Sequence, residues 1–419
     1  MLHNSTHRLP PPSPQSSSEA SALRRCFIPD QVTAMPKRDR WDSDDEEDHG
    51  VSSSKTAQKD NSSSEKSRHA EVESRPPVTK PRLPVPPPGF QLHNPLLHGC
   101  RSVYDSYERL DHLDEGTYGV VWKARDNSSG EIVALKQIKF DNEMTREGFP
   151  ISALREISVL LALSHECIVT VREMVVGSAH DKVFMVMECF EMDLQAAMKK
   201  GPGASVPFAQ SEVKFMMHQL LSAMAHVHEN WYLHRDVKTS NILVHESGRI
   251  ALCDFGLARK YEVPARNMTQ MVVTLWYRAP ELLFGEAKYG AEIDVWSVGC
   301  IFGELLIKDA IMQGKGELDQ IQKIFTLMGT PTDESWPEFS SLPSSGTFKW
   351  KNRVGNELGR RFQTNSFSCT GQTYLDLNGF DLLSKLLTLN PKRRITADKA
   401  LSHPYFREGV KMQIPSFFG

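Results

Sequence analysis

The sequence predicts an α+β fold in two unequal lobes behind a long polar tail, on three observations. Short β-rich runs separated by glycine-containing turns fill residues 104–190. Apolar repeats at helical spacing dominate 191–408, ahead of a short extension at 409–419. The first hundred residues hold 14 of the 25 prolines. The 419 residues carry a net charge of −3, with 40% apolar and 24% charged side chains. That is an ordinary globular balance, not that of a generally basic nucleic-acid binder, and direct nucleic-acid binding is not expected. The best candidate for a membrane span, Val295–Ile307, is too short and contains Glu304, so no membrane association is expected. The opening twenty residues lack the apolar core of a secretory signal. Seven scattered cysteines without a C-x-x-C pair argue for a reducing compartment and against a disulfide framework or zinc site.

The elements follow in chain order. Residues 1–100, with the runs Ser52–Ser54, Ser62–Ser64 and Pro86–Pro88, bury too little apolar surface to offset backbone ordering and are expected to be disordered. Within them the acidic run Asp42–Asp48, interrupted by Ser43, reads as a solvated charged face or as an interaction or phosphorylation segment. The basic cluster Lys37, Arg38 and Arg40 could serve nuclear import. Tyr107–Leu113, Val120–Arg125 and Glu131–Phe140 read as strands, with Asn127–Gly130 as a turn. Pro150 suits the first position of a helix carrying Ile151, Leu154, Ile157, Leu160 and Leu161. Val169–Val176 and Val183–Glu188 are two further strands. Three helices follow: Ser211–Glu229 with Ser211 as N-cap, Asp294–Leu306, and Phe380–Leu389.

Six short motifs carry the chemistry. Glu115–Val121 (E-G-T-Y-G-V-V) places Gly116 and Gly119 between two strands, where bare backbone can offer N–H groups to a polyanion. Taken alone, such a fragment is usually just a hairpin turn. Val133–Lys136 (V-A-L-K) puts a lysine on the next strand, and Glu156 follows on the helix after it; singly, each is an ordinary surface residue. His234–Asn241 (H-R-D-V-K-T-S-N) is far more specific, as are Asp254-Phe255-Gly256 and Ala279–Glu281 in that order. The ordered set is that of protein kinases, which the chain resembles. Phosphoryl transfer asks the protein mainly for positioning and charge stabilisation. The resemblance implies that Lys136, oriented by Glu156, holds the α- and β-phosphates of ATP. Asp254 and Asn241 coordinate Mg²⁺, Asp236 accepts the proton of the acceptor hydroxyl, and Lys238 neutralises the γ-phosphate. Glu281 and Arg394 are expected to form a structural ion pair.

Longer stretches narrow the family. Gly148–Glu156 (G-F-P-I-S-A-L-R-E) is similar to the cyclin-binding helix of cyclin-dependent kinases, nearest the PITSLRE class, with Ser152 and Ala153 as departures. Gly99–Val103, Asp114–Gly119, Val171–Ser178, His228–Asp236 and Val272–Leu283 resemble the same class over about residues 99–408. The PISSLRE class shares the helix motif but matches Trp231 and residues 297–304 less well. The resemblance implies a bilobal protein kinase fold, a small β-rich N-lobe with one regulatory helix and a larger helical C-lobe. Adenine would lie between Val121, Ala134 and Leu243, with the hinge backbone at Glu188–Phe190 pairing its edge, Asp193 at the ribose and Met187 at the rear pocket. Leu113, Gly116, Thr117, Tyr118 and Gly119 would contribute the loop side of the nucleotide site.

Regulation is implied by the same likeness. Thr117 and Tyr118 resemble an inhibitory phosphorylation pair, and Thr269 the activating threonine, its phosphate received by Arg155, Arg235 and Arg259. Val272 and Val273 resemble a platform favouring proline after the target residue, since proline has no N–H to leave unpaired. The expected activity is that of a cyclin-dependent Ser/Thr protein kinase acting on Ser/Thr-Pro sites with ATP and Mg²⁺. Its expected partner is a cyclin of the L type, in a nuclear or nuclear-and-cytoplasmic setting tied to transcription, pre-mRNA processing and the cell cycle. Asp114 replaces the usual first loop glycine, and Cys253 is read as a packing residue. A non-catalytic cyclin-binding scaffold and a small-molecule phosphotransferase are the rival readings.

Overall fold

The computed structural model describes residues 100–116, 119–139, 149–178, 182–200, 207–270, 272–347, 357–362 and 375–415. Residues 1–99 of the expected tail, Thr117 and Tyr118 lie outside them. All the described residues belong to one compact unit.

The N-terminal part is a sheet of six strands: β1 Arg101–Ser102, β2 Tyr107–Gly116, β3 Gly119–Asp126, β4 Ile132–Gln137, β5 Val171–Val176 and β6 Val183–Glu188. Their spatial order is β1-β5-β6-β4-β3-β2. All pairs are antiparallel except β1 with β5. β1 and the single turn α1 (Val103–Ser106) add to the expected elements. Val103 is fully buried, and Arg101 and Tyr107 both donate to the Glu173 carboxylate. The β2–β3 hairpin closes with Gly116 opposite Gly119. Gly119 sits at φ +154°, and a Cβ there would lie 1.9 Å from the Gln137 carbonyl oxygen, so no other residue fits.

Between β4 and β5 runs α2, Ile151–Ala162. Pro150 precedes its first turn rather than occupying it, and its carbonyl accepts the Leu154 N–H at 3.0 Å. Glu156, Val159 and Leu160 face inward, while Ile151 and Leu154 stay 67% and 49% exposed.

The C-terminal part is helical. After β7 (Met192–Asp193) come α3 (Leu194–Lys200) and α4 (Gln210–Glu229). Ser211 is not the N-cap: Ala209 holds that position, and the Glu212 carboxylate accepts its N–H at 2.8 Å. Ser211 lies inside the helix, buried, donating to the Gln413 side chain. Downstream lie β8 (Tyr232–Leu233), β9 (Ile242–Val244), β10 (Ile250–Leu252) and β11 (Arg259–Lys260), then α5 (Pro280–Leu283) and α6 (Glu292–Ile307). Every residue of α6 from Ile293 to Leu306 is buried, the polar Asp294, Ser297 and Glu304 included. It packs against α4 and α9 (Leu377–Leu386); α7 (Glu317–Met328), α8 (Leu358–Phe362), α10 (Ala397–Leu401) and α11 (Pro404–Arg407) complete the helical part. The Asp376 carboxylate caps α9, whose first residue, Leu377, is three residues before the expected start. Among the described residues no helix is long and apolar enough to cross a membrane.

Candidate active site

Strand register gathers the first group of side chains. Val121 lies opposite Lys136, Lys136 opposite Met185, and Ala134 opposite Met187. Directly opposed residues, and residues two apart on a strand, share a face. Val121, Ala134, Lys136, Met185 and Met187 therefore occupy one face of the sheet. From that face the Lys136 ammonium reaches both Glu156 oxygens, at 2.7 and 2.9 Å. Burial opposes both charges. The lysine is nevertheless held above its ordinary value by Glu156 and Asp254, while burial pushes the Glu156 carboxyl up in spite of Lys136. The ammonium bonds both oxygens, an arrangement that suits the ionised pair.

Below the sheet, Val169, Phe190 and Ala251 form a small apolar cluster against Met187, Leu243 and Cys253. The ring of Phe190 is therefore part of this floor, where the sequence pointed only to its backbone. The Glu188 carboxylate accepts from the Thr170 N–H and from Arg249, fixing the segment between the two parts. Asp193 accepts the Ala196 N–H at 2.9 Å and so caps α3. Leu113, at the outer end of β2, is exposed. Burial drives the Cys253 thiol far up, so it is an inert packing group, as expected.

The His234–Asn241 segment forms the second group. Asp294 of α6 accepts the His234 and Arg235 N–H groups at 2.9 Å each, and His228 at 3.1 Å. Burial alone would raise this carboxyl; these donors outweigh it and hold it below the ordinary aspartate value. The clamp holds Arg235 at φ +67°. His234 accepts the Asp236 N–H on Nδ1 and has Nε2 3.0 Å from the Cys253 carbonyl, tying this loop to Asp254.

Asp236 is the best-supported carboxylate of the site. Its Oδ2 accepts from Lys238 at 2.8 Å, and its Oδ1 from the Thr274 hydroxyl and N–H at 2.9 and 3.1 Å. Burial again works to raise the carboxyl, and Lys238 with Thr274 overcomes it and lowers it. The anion is thus kept ionised and aimed at one place. Asn241 donates to the Asp236 carbonyl at 2.9 Å, and its own side-chain oxygen takes no donor among the described residues. Asp254 sits at φ +61° and, among the described residues, takes only a long 3.5 Å contact from the Gly256 N–H. Two oxygen donors left open beside an anion-ready lysine fit a hard divalent cation.

The three predicted arginines also converge. Arg155 donates to the Gly256 carbonyl, Arg235 to the Leu257 carbonyl and the Tyr289 hydroxyl, and Arg259 to the Ala258 carbonyl. Burial and mutual repulsion lower Arg155 and Arg259. Exposed Thr269 joins them through its carbonyl, which accepts from Tyr289 at 2.5 Å. Further on, Arg394 forks onto Glu281 at 2.7 and 3.0 Å, as expected.

Sequence reasoning assigned no role to Thr274, Arg278, Asp294 or Tyr289. Thr274 and Arg278 stand inside the quoted Val272–Leu283 stretch, and a hydroxyl or guanidinium there was the available signal.

The family comparison agrees with this geometry. The protein kinase domain family matches residues 107–406. Cyclin-dependent kinase G-2 of Oryza sativa subsp. indica is 50% identical over 325 residues, covering 78% of this chain and 44% of that protein. Cyclin-dependent kinase 11B of Homo sapiens is 48% identical over 324 residues, 77% of this chain and 39% of that protein. The Rattus norvegicus protein of the same name is 47% identical over 324 residues, 77% of this chain and 71% of that protein. The chain thus spans less than half of the first two relatives. The clustered lysine, glutamate and two aspartates, together with these matches, establish that the chain belongs to the protein kinase family, among the cyclin-dependent kinases.

Proposed function

We propose that the chain transfers the γ-phosphate of ATP to Ser or Thr hydroxyls that precede proline, and does so when bound to a cyclin of the L type. The observation that carries this reading is the Asp236 carboxylate, ionised and fixed by Lys238 and Thr274 at the mouth of a substrate-side loop. An acceptor hydroxyl there gives its proton to Asp236 as its oxygen is turned toward the phosphate. Asp254 and Asn241 would hold Mg²⁺, which would supply neutralisation of the nucleotide's phosphate charge. Lys136 binds and orients the nucleotide phosphates, and Lys238 offsets charge beside Asp236.

Proline selectivity is supported by Val273. It sits at φ +65°, and Arg278 donates to the Val272 carbonyl at 2.9 Å and to the Val273 carbonyl at 3.1 and 3.2 Å. A peptide N–H arriving beside these engaged carbonyls finds no free acceptor, and a buried unpaired N–H costs about 1–3 kcal/mol. Proline has none to leave unpaired. The cyclin is supported by the exposed Ile151 and Leu154 on the outer face of α2, the helix that carries Glu156. We further place the protein in the nucleus or in both nucleus and cytoplasm, acting on transcription, pre-mRNA processing and the cell cycle. Thr269 would be its activating phosphorylation site, and Thr117 and Tyr118 its inhibitory pair.

The test is phosphate transfer from labelled ATP to a Ser-Pro peptide and its Ser-Ala twin, with and without an L-type cyclin. Transfer should need the cyclin, favour Ser-Pro at least about tenfold, and fall about 10²–10⁴-fold in Asp236→Asn. Tight Mg²⁺-ATP binding with no transfer under any condition would instead favour a scaffold.

A further inference from the structure

Beneath the Asp236–Thr274 contact lies a second one of the same register. Thr239 is three residues after Asp236 and opens the 3₁₀ turn Thr239–Asn241; Tyr277 is three residues after Thr274 and ends the 3₁₀ turn Leu275–Tyr277. The Thr239 hydroxyl and the Tyr277 hydroxyl are 3.1 Å apart. Both reach Glu304 of α6: Thr239 donates to Oε1 at 3.1 Å and Tyr277 to Oε2 at 2.7 Å. All three residues are buried, and among the described residues each Glu304 oxygen has one donor. Ser297, also on α6, donates to the Tyr277 carbonyl at 2.9 Å.

We propose that Thr239 is a positioning residue that, through Glu304, locks the substrate-side loop to the catalytic loop and thereby sets where the acceptor peptide lies relative to Asp236. One tie between two loops leaves a pivot. A second tie, three residues further along both segments, removes it. The Asp236–Thr274 tie fixes the reacting end, and the Thr239–Tyr277–Glu304 tie fixes the tilt of Val272–Tyr277, the stretch that meets the peptide. A hydroxyl is required at 239: an apolar side chain of the same shape leaves Glu304 Oε1 buried without a donor.

The inference rests on the protein-phosphotransfer reading, so its test has one arm that needs no substrate. In the full chain with its cyclin, Thr239→Val should raise the peptide KM about five- to twentyfold while the ATP KM stays within about twofold. Thr239→Ser, which keeps the hydroxyl, should return the peptide KM to within about twofold of wild type. Without substrate, amide hydrogen exchange in both 236–241 and 274–277 should speed up about threefold or more in Thr239→Val and not in Thr239→Ser. Equal damage from Val and Ser, equal shifts in both KM values, or unchanged exchange in either segment overturns the proposal. Should wild type transfer no phosphate to peptide, the functional reading fails, and the exchange arm still decides whether the lock exists.

Discussion

Each lobe holds one prominent ion pair, and the two are built for different ends. Arg394 and Glu281 are 0% and 1% exposed. The guanidinium forks onto the carboxylate, donates to the Thr388, Leu389 and Glu292 carbonyls, and lies 5.1 Å from the Trp296 ring centre. Every donor direction is used, so the pair has one arrangement. Lys136 and Glu156 are 13% and 7% exposed and have no such supporting cage among the described residues. They join a strand to a helix whose outer apolar face is open. The first pair is a fixture of the fold; the second can be made or broken by whatever covers α2, the kind of element a partner biases.

Substitutions can test that division. The largest effect should come from Arg394→Ala, which strands a buried carboxylate: about 3–5 kcal/mol of stability lost, read from urea unfolding. A loss under about 1 kcal/mol would place the two pairs in one class. Lys136→Met, in which the buried Glu156 carboxyl can take up a proton, should cost less stability in urea than Arg394→Ala yet lower peptide phosphorylation about 10²–10³-fold. Acid should then separate the carboxylates that donors hold ionised from the rest. Asp236 and Asp294 have folded values below the unfolded one. Their stabilisation is therefore present above about pH 4 and lost as pH falls through the lowered values. Asp236→Asn should flatten the acid limb of a melting-temperature profile; an unaltered limb would contradict the assigned environment. The smallest change is expected from Leu154→Ala on the exposed face of α2: stability within about 0.5 kcal/mol, but weaker capture of cyclin in a pull-down.

Much of the site was legible because its motifs are local. Asp236, Lys238 and Asn241 lie within six consecutive residues, and strand alternation alone puts Ala134 and Lys136 on one face. What could not be read was tertiary. Thr274 meets Asp236 across 38 residues and Asp294 meets Arg235 across 59, and nothing in either segment's pattern states that register. Ser211 misled because a hydroxyl near a helix start is normally a cap. The Glu212 side chain satisfies the Ala209 N–H instead, which frees Ser211 to bind Gln413. Phe190 was taken for its main chain, whereas its ring fills the floor beneath Met187. The strand before α1 went unseen because two residues carry no period.

Val273 has a consequence for how selectivity changes over evolution. A β-branched residue at φ +65° is under local tension of about 1–3 kcal/mol, borne by the resting enzyme before any peptide arrives. Glycine at that position would hold the same torsion without tension, but would also let the backbone leave it, so that these carbonyls are no longer confined toward Arg278. On the proposed preference for proline, a more freely moving backbone here would broaden target choice, and keeping it narrow means keeping a strained residue in place.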